Sequence, residues 1–383
     1  MMSLFMLPFV SQFQKNVLQA IVAVVGVLVF LTSSQAADPS PWPWMPKENV
    51  FTIPIGPDNP RNSEGDFVVL KDGTILCVYT HYYGNSGDDH ATACLMSRVS
   101  GDGGNTWTSE DKLELQNEGK LNVMSVTLRR LEDGRVLMFY LVKEDPSDCR
   151  PYMRVRNEDG TWGPRKCLID EPSYNVVNND RVIQLSSGRL LVPVGRHPFY
   201  GKNAYDYGWN AKIFCVISDD GGQSWYEGGA VEPTEGTYYQ EPGLCELADG
   251  RVLINIRTNG NAQFFAYSED GGQTWGKPFK SCIDSPLSPT LIKRIPGSDE
   301  LVAVGNPLLP IADYNDRATM TIERLSPDAE KILVRKTMDH PERLVAPDWQ
   351  YPSICFVDND TALVAYFTCQ KGVFIYKIKL SDL

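Results

Sequence analysis

The feature that most constrains the fold is a strand–turn–strand unit that recurs about every 60 residues along the chain. Asp-Gly between two apolar runs is a strong hairpin signal, because glycine adopts positive φ at no steric cost. Four units match closely, at Val69–Leu76, Leu131–Leu137, Leu185–Leu191 and Leu247–Leu253. Two weaker units follow, around Pro296–Ser298 and Asp358–Asp360. Six such units predict an all-β chain, folded as a six-bladed β-propeller of four-stranded antiparallel blades.

A second motif, S-x-D-x-G-x-T-W, alternates with the first. It fits two segments fully and a third with serine in place of threonine: Ser100–Trp107, Ser268–Trp275 and Ser218–Trp225. A shortened copy occupies Glu158–Trp162. In this motif the aspartate accepts backbone N–H groups, the glycines take left-handed geometry, and the tryptophan packs between sheets. The motif therefore predicts a structural turn, and several copies in one chain are a specific signal of the fold.

These motifs resemble the "Asp boxes", or BNR repeats, of the sialidase (neuraminidase) superfamily, and the resemblance to bacterial exo-α-sialidases covers essentially the whole chain after its N-terminal segment. It implies that residues 51–383 form a single sialidase-like propeller. Asp boxes also occur in propellers that are not sialidases, so they bear on the fold more than on the activity.

The N-terminal segment has the pattern of an export signal. Lys15 precedes an apolar run from Val17 to Leu31, and the small residues Ser34 and Ala36 suit cleavage after Ala36. We therefore predict a signal peptide at 1–36, a Pro/Trp-rich segment at 37–50, export to the periplasm or the exterior, and no stable membrane insertion after cleavage. An uncleaved signal anchor is the alternative, although the run is short for a membrane span.

Charge and cysteine content limit the ligands. With 36 Lys+Arg against 48 Asp+Glu the net charge is −12, which argues against nucleic acid and anionic membranes as partners. Any anionic ligand must therefore meet a local cationic cluster. The nine cysteines lie mostly in apolar runs, with Cys149 and Cys167 as a candidate disulfide. No metal-binding spacing occurs, and we predict no metal and no cofactor.

Topology separates structural turns from candidate site residues. In a four-stranded antiparallel blade, the Asp-Gly hairpin and the Asp box both lie at one end. The starts of the first strands and the loops between second and third strands lie at the other end, where propeller ligands usually bind. That end receives arginines, carboxylates and a tyrosine from several blades, including the segments 60–66, 178–181, 239–242 and 350–353. Convergence of these groups predicts a functional site.

Sialidases bind a sugar that bears a carboxylate on its anomeric carbon, and arginines suit that group because their fork matches its two oxygens. The resemblance implies three carboxylate-binding arginines, Arg61, Arg257 and Arg317. Arg61 departs most, since the family usually has an aromatic-Arg-Ile-Pro stretch there and this chain has Pro-Arg-Asn-Ser-Glu-Gly. Arg181 is the substitute candidate for that position.

The resemblance also implies the catalytic groups. A neutral tyrosine deprotonated by a glutamate avoids the repulsion between an anionic nucleophile and the substrate carboxylate, and sialidases are known for this exception. Tyr351 matches the nucleophile and Glu241 its base. The general acid comes from an aspartate in the first blade, where Asp88 and Asp89 both qualify, and we favour Asp89. The histidines His81, His90 and His197 are candidates to line the pocket in non-catalytic roles.

Three functions follow as hypotheses. The first is a secreted, monomeric exo-α-sialidase that hydrolyses terminal sialic acid with net retention. The second is a hydrolase or lyase for another acidic glycan on the same scaffold. The third is a non-catalytic carbohydrate-binding propeller, which the presence of both Tyr351 and Glu241 disfavours.

Overall fold

The computed structural model describes residues 41–201, 208–309, 317–339, 350–368 and 371–383, so the predicted signal peptide lies outside the described residues. These residues form strands and a single 3₁₀ turn, Leu380–Asp382, as expected for an all-β chain. In this part of the chain, no helix is long and apolar enough to cross a membrane.

Four separate sheets have four strands each. Their strands, numbered in chain order, are β2 (Arg61–Val69), β3 (Ile75–Tyr82), β4 (Ala93–Ser100) and β5 (Lys112–Leu115); β15 (Tyr239–Glu246), β16 (Val252–Thr258), β17 (Phe264–Ser268) and β18 (Phe279–Lys280); β19 (Leu291–Arg294), β20 (Leu301–Gly305), β21 (Met320–Leu325) and β22 (Ile332–Asp339); and β1 (Lys47–Ile53) with β23 (Gln350–Phe356), β24 (Thr361–Thr368) and β25 (Gly372–Lys379).

The remaining strands form one nine-stranded sheet. They are β6 (Asn122–Arg130), β7 (Val136–Asp145), β8 (Asp148–Val155), β9 (Lys166–Cys167), β10 (Tyr174–Val176), β11 (Ile183–Gln184), β12 (Leu190–His197), β13 (Lys212–Ser218) and β14 (Tyr226–Glu227). Tyr174 of β10 pairs antiparallel with His197 of β12 and parallel with Cys149 of β8. The prediction of six four-stranded blades is therefore wrong: the described strands give four such sheets, and β10 joins the others into one.

The sheets are arranged as a propeller. Neighbouring sheets contact each other in chain order, through β12 with β15, β15 with β19 and β19 with β23, and β2 contacts both β6 and β23, which closes the ring. Apolar side chains fill the space between neighbouring sheets; Val78 of β3, for example, packs in one cluster with Val126 of β6 and Met138 of β7. The all-β propeller fold that the repeats predicted is thus present, with a different division into sheets.

One sheet joins the first and the last of the described strands. β1 pairs antiparallel with β25, from Lys47 opposite Ile378 to Ile53 opposite Val373. An isolated bridge places Trp44 beside Thr337, so part of the segment before the predicted propeller also lies against a sheet.

The Asp boxes form the predicted turns. In the first, Asp102 accepts hydrogen bonds from the Thr106 N–H (2.9 Å) and hydroxyl (2.6 Å), and Ser100 Oγ accepts the Gly104 N–H at 2.9 Å. Gly104 has φ of +84°, which a side chain would strain. The Trp107 ring lies 6.3 Å from that of Phe51 and packs against the neighbouring sheet. The same contacts recur at Asp220 and Asp270.

The predicted disulfide is wrong. Cys149 and Cys167 both carry free thiols, as do the other cysteines in the described part of the chain. The register explains this result, because Cys167 of β9 lies opposite Tyr152 of β8 while Cys149 lies opposite Lys143 of β7. The Cys167 thiol instead donates a hydrogen bond to the Ile169 carbonyl.

Candidate active site

A cavity of about 480 Å³ opens at the end of the ring opposite the Asp boxes. Its walls contain all six residues that the sequence predicts as catalytic or carboxylate-binding: Arg61, Asp89, Glu241, Arg257, Arg317 and Tyr351. A larger opening of about 750 Å³ lies at the hairpin end, near Gly297 and Ser298, but it contains none of these groups. The convergence of side chains predicted from topology is therefore observed, while their roles remain predictions.

Bulges in the first strands aim side chains into the cavity. The pairing register shifts between Ser63 and Asp66, and corresponding shifts occur in β6, β15 and β23. Three non-glycine residues at these shifts have positive φ: Glu64 (38°), Ser125 (58°) and Tyr351 (47°). All three line the cavity. Such strained positions cluster at functional sites, and a bulge redirects a side chain that regular pairing would direct elsewhere.

Tyr351, Glu241 and Arg257 form a hydrogen-bonded chain. The Tyr351 hydroxyl donates to Glu241 Oε1 at 2.8 Å, and Arg257 Nη1 donates to Glu241 Oε2 at 2.7 Å. Burial favours a protonated Glu241. The Arg257 charge, the hydrogen bond from Arg257 and the Arg317 charge oppose this effect and hold the pKa of Glu241 below its usual range. Glu241 is therefore ionised and can accept the Tyr351 proton.

The Tyr351 ring is fixed from two sides. It stacks on Phe367 with ring centroids 5.9 Å apart, and the Arg317 guanidinium lies 5.8 Å from its centroid. Burial and the charge of Glu241 raise the pKa of Tyr351, whereas Arg257 and Arg317 act in the opposite direction. In the free protein the hydroxyl is thus protonated, next to the base that would remove its proton.

Arg61 lies across the cavity with two carboxylates. Its Nη1 donates to Asp89 Oδ1 at 2.6 Å, and its Nη2 is 3.6 Å from Glu64 Oε2. The guanidinium packs over the rings of Tyr82 and Phe367. Desolvation opposes ionisation of Asp89, but the Arg61 charge and hydrogen bond lower its pKa. Asp89 is at the rim, with 61% of its side chain exposed.

The alternative candidates lie elsewhere. Asp88 is exposed and accepts a hydrogen bond from the Ser86 hydroxyl at 3.1 Å, away from the cavity walls. Arg181 is 2% exposed and donates to the Asn179 carbonyl within the ring, below the cavity. Of the three candidate histidines, His197 lines the cavity and its Nδ1 donates to the Gly208 carbonyl, whereas His81 and His90 do not line it.

Sequence reasoning missed several wall residues. Lys143, only 2% exposed, donates from Nζ to the Asp89 backbone carbonyl at 2.7 Å, and Asn122 donates to the same carbonyl at 2.9 Å. Trp209 lies at the rim with 58% exposure. The topological rule could have found Lys143, because it lies near the end of a second strand at the site end.

Comparison with known proteins fits this architecture. Residues 73–364 match the family model of the BNR repeat-like domain. The chain belongs to the BNR-repeat-like family. This match confirms the BNR repeats that the Asp boxes indicated, and no curated protein matches the chain by sequence.

Solved structures share the fold of this BNR-repeat-like protein at low identity. A protein of unknown function from Dyadobacter fermentans is 19% identical, with a TM-score of 0.68, over 86% of this chain and 98% of that one. The NanB sialidase from Streptococcus pneumoniae is 12% identical (TM-score 0.66; 88% and 71% covered). An intramolecular trans-sialidase from Ruminococcus gnavus is 14% identical (TM-score 0.66; 88% and 98%). At such identity the likeness concerns the fold.

The described residues contain no group of three or more His, Cys, Asp or Glu side chains arranged to hold a metal ion.

Proposed function

We propose that this BNR-repeat-like protein is an exo-acting glycoside hydrolase that releases terminal α-linked sialic acid with net retention. The observation that carries the proposal is the 2.8 Å hydrogen bond from Tyr351 to Glu241, in a cavity that also holds Arg61, Arg257 and Arg317. An ionised carboxylate beside a buried tyrosine is the arrangement that a tyrosine nucleophile needs.

The arginines suit a substrate that carries a carboxylate next to the scissile bond. Each stays charged at any relevant pH, and the cavity surrounds them with buried walls that strengthen charge-assisted hydrogen bonds. In the free protein Arg61 and Arg257 each hold a carboxylate of the protein. A substrate carboxylate can therefore replace Asp89 as the partner of Arg61, whereas Arg257 keeps Glu241 and has a buried Nε–H without a hydrogen-bond partner to offer.

The proposed first step is attack by Tyr351. Its proton passes to Glu241, and the phenolate oxygen bonds to the anomeric carbon as the bond to the leaving oxygen breaks. Arg257 and Arg317 favour the developing phenolate, since both already act to lower the pKa of Tyr351. Water then attacks the same carbon, the Tyr351–carbon bond breaks, and Glu241 returns its proton to Tyr351. Two displacements give net retention.

Asp89 is proposed as the general acid and then the base. In the free protein it is paired with Arg61 and its pKa is lowered, which leaves it ionised. When the substrate carboxylate takes over Arg61, that stabilisation weakens and the pKa of Asp89 rises. Asp89 can then protonate the leaving oxygen and later accept a proton from the attacking water.

A second candidate is hydrolysis or elimination on another acidic glycan. The observation that favours it is Glu64, a buried carboxylate 3.6 Å from Arg61 at the position where the sequence departs from the family pattern. A carboxylate there changes which acidic sugar fits beside Arg61. Uronic acid glycosides are the class that tests this candidate.

The deciding experiment measures hydrolysis of a fluorogenic α-sialoside by residues 37–383, with Tyr351→Phe and Glu241→Gln beside the wild type. We expect wild-type turnover that both substitutions abolish, and an NMR time course in which the α-anomer appears first. Turnover that survives both changes contradicts the assigned nucleophile and base. A wild type that ignores sialosides but turns over uronosides supports the second candidate.

We further infer that the mature protein is exported and monomeric, after cleavage following Ala36. Intact-mass measurement of the secreted protein tests the cleavage site, and light scattering tests the oligomeric state. A secreted product that retains residues 1–36 contradicts this inference.

A further inference from the structure

Glu64 is a carboxylate in the catalytic cavity to which the proposed mechanism gives no task. It lies in the bulge of β2 with φ of 38°, and 5% of the residue is exposed. Its Oε2 accepts a hydrogen bond from the Ser63 hydroxyl at 3.2 Å and is 3.6 Å from Arg61 Nη2. A strained backbone that holds a buried acid against the substrate-binding arginine calls for a functional explanation.

The surroundings of Glu64 contain charges of both signs. Arg61 is its nearest cation, and the Lys143 charge also acts on it, while Asp89 and Glu241 repel it. The groups that interact with it electrostatically come from β2, β3, the loop after β3, β7, β8, β15 and β23: Arg61, Tyr82, Asp89, Lys143, Cys149, Glu241 and Tyr351. Three carboxylates therefore share one cavity before any acidic substrate enters.

A substrate carboxylate must approach the same arginine. If Glu64 is ionised, the incoming anion meets a buried like charge that cannot move away, because the bulge fixes its backbone. If Glu64 is protonated, its hydroxyl can donate a hydrogen bond, and Arg61 has one fewer anionic competitor. The protonation state of Glu64 thus determines how strongly Arg61 attracts a carboxylate.

We propose that Glu64 is a specificity-determining residue that couples binding of a carboxylate-bearing sugar at Arg61 to the uptake of one proton. The proposal rests on the proposed function insofar as the substrate is acidic and Arg61 receives its carboxylate. It does not require that Tyr351 be the nucleophile.

The direction in which the pKa of Glu64 is shifted agrees with its buried position beside Arg61. Burial raises the pKa of Glu64 to about 7, although Arg61 and Lys143 oppose this change. An anionic ligand raises the pKa further, so binding takes up a proton at and above neutrality. The affinity for the ligand therefore falls by up to tenfold per pH unit just above pH 7, where free Glu64 has lost its proton.

The test is calorimetric titration with two carboxylate sugars, 2,3-didehydro-2-deoxy-N-acetylneuraminic acid and glucuronic acid, from about pH 6 to about pH 8.5 in buffers of different ionisation enthalpy. The wild type should take up close to one proton per ligand near pH 8. Glu64→Gln should bind without that uptake and lose the pH dependence of its affinity.

Three variants separate Glu64 from its neighbours. Asp89→Asn removes the other carboxylate whose pKa rises when a ligand takes over Arg61. Because that rise starts from a pKa below the usual range, Glu64 should account for the proton uptake near pH 8, and the variant should keep the pH slope. His197→Gln tests the histidine in the cavity wall and should also keep the slope. Glu323→Gln removes a remote buried acid, whose pKa burial also raises to about 7, and should change nothing in binding.

Infrared difference spectra of the ligand-free protein give a readout that needs no ligand. A protonated-carboxyl band that disappears between about pH 6 and about pH 8.5 and is absent in Glu64→Gln supports the proposal. An unchanged proton uptake in Glu64→Gln overturns it, as does failure of both sugars to bind at any pH. Binding of glucuronic acid alone, with the slope, supports Glu64 while the sialidase assignment fails.

Discussion

The two ends of β16 carry ion pairs of the same kind in opposite settings. At the hairpin end, just before the strand, Arg251 pairs with Asp249 at 2.8 Å, and their side chains are 31% and 52% exposed. At the site end, Arg257 pairs with Glu241 at 2.7 Å, and their side chains are 11% and 12% exposed. The distances agree, so the difference lies in what surrounds each pair.

The hairpin end and the site end differ in the same way around the whole ring. Within the Asp boxes of the hairpin end the partners are two to four residues apart, and the same bonds recur in three copies. At the site end, Glu241 contacts Tyr351, 110 residues away, and the backbone is bulged and strained. One end is built from repeated local turns that stabilise the sheets, whereas the other combines single residues from distant strands.

The largest expected effect comes from Arg257→Met. Removal of Arg257 takes away the only ion-pair partner of the buried Glu241 in the described residues. Glu241 is then left with the Tyr351 hydroxyl and the more distant Arg317 charge, which costs about 3–5 kcal/mol of the free energy of unfolding. Turnover should be lost as well. The matched Arg251→Met should cost less than about 1 kcal/mol, because its pair is exposed to solvent. Denaturant unfolding of both variants measures the two losses in the free energy of unfolding. Equal losses in Arg257→Met and Arg251→Met would contradict the difference between the buried and the exposed ion pair.

Glu64→Gln should change how stability depends on pH. The wild-type carboxyl has a pKa raised by burial from 4.5 to about 7, so the folded state binds its proton more tightly than the unfolded state. Wild-type stability therefore falls as the pH rises from about 4.5 to about 7, by about 3 kcal/mol from this group. Glu64→Gln has no carboxyl at this position, so this part of the pH dependence of the free energy of unfolding should be absent from the variant.

The measurement is the free energy of unfolding of wild type and Glu64→Gln at about pH 4.5 and about pH 8. Glu323→Gln, remote from the cavity, should show a similar change in stability while turnover stays at the wild-type level. If the difference between wild type and Glu64→Gln is the same at both pH values, the buried proton is absent.

Asp89→Asn should reduce turnover by about 10²-fold, the usual contribution of a general acid. The loss should be smaller for a sialoside with a phenolic leaving group, which needs less protonation, than for one with an alkyl leaving group. Asp88→Asn is the matched control, since Asp88 contacts Ser86 outside the cavity. Comparable losses in both variants would refute the choice between the two aspartates.

The smallest effect is expected at an Asp box. Asp270→Ala removes the acceptor of the Ser268 hydroxyl (2.7 Å) and the Thr274 N–H (2.8 Å), on a turn that remains open to water. We expect a cost of about 1–2 kcal/mol in the free energy of unfolding, with turnover within twofold of wild type. Thermal unfolding and a sialoside assay check the two parts. A large loss of turnover would mean that the two ends are not independent.

The Asp-box turns of the hairpin end could be predicted in detail from sequence because their bonds join neighbouring residues. The site end could be predicted in part, since strand order fixes at which end Arg257 and Tyr351 lie. The bulge that turns Glu64 inward could not be predicted, because it depends on pairing with another strand. The nine-stranded sheet was missed for a similar reason, as the bridge from Tyr174 to Cys149 joins residues that no local pattern links.

The pairing of β1 with β25 has a consequence for the order in which the chain is made. β1 precedes the other described strands along the chain and pairs with β25, so the ring has two unpaired strand edges until Gly372–Lys379 has been synthesised. Unpaired edges attract other chains and proteases. Pairing of β1 with β25 therefore hides both edges only after the strands between them have been made.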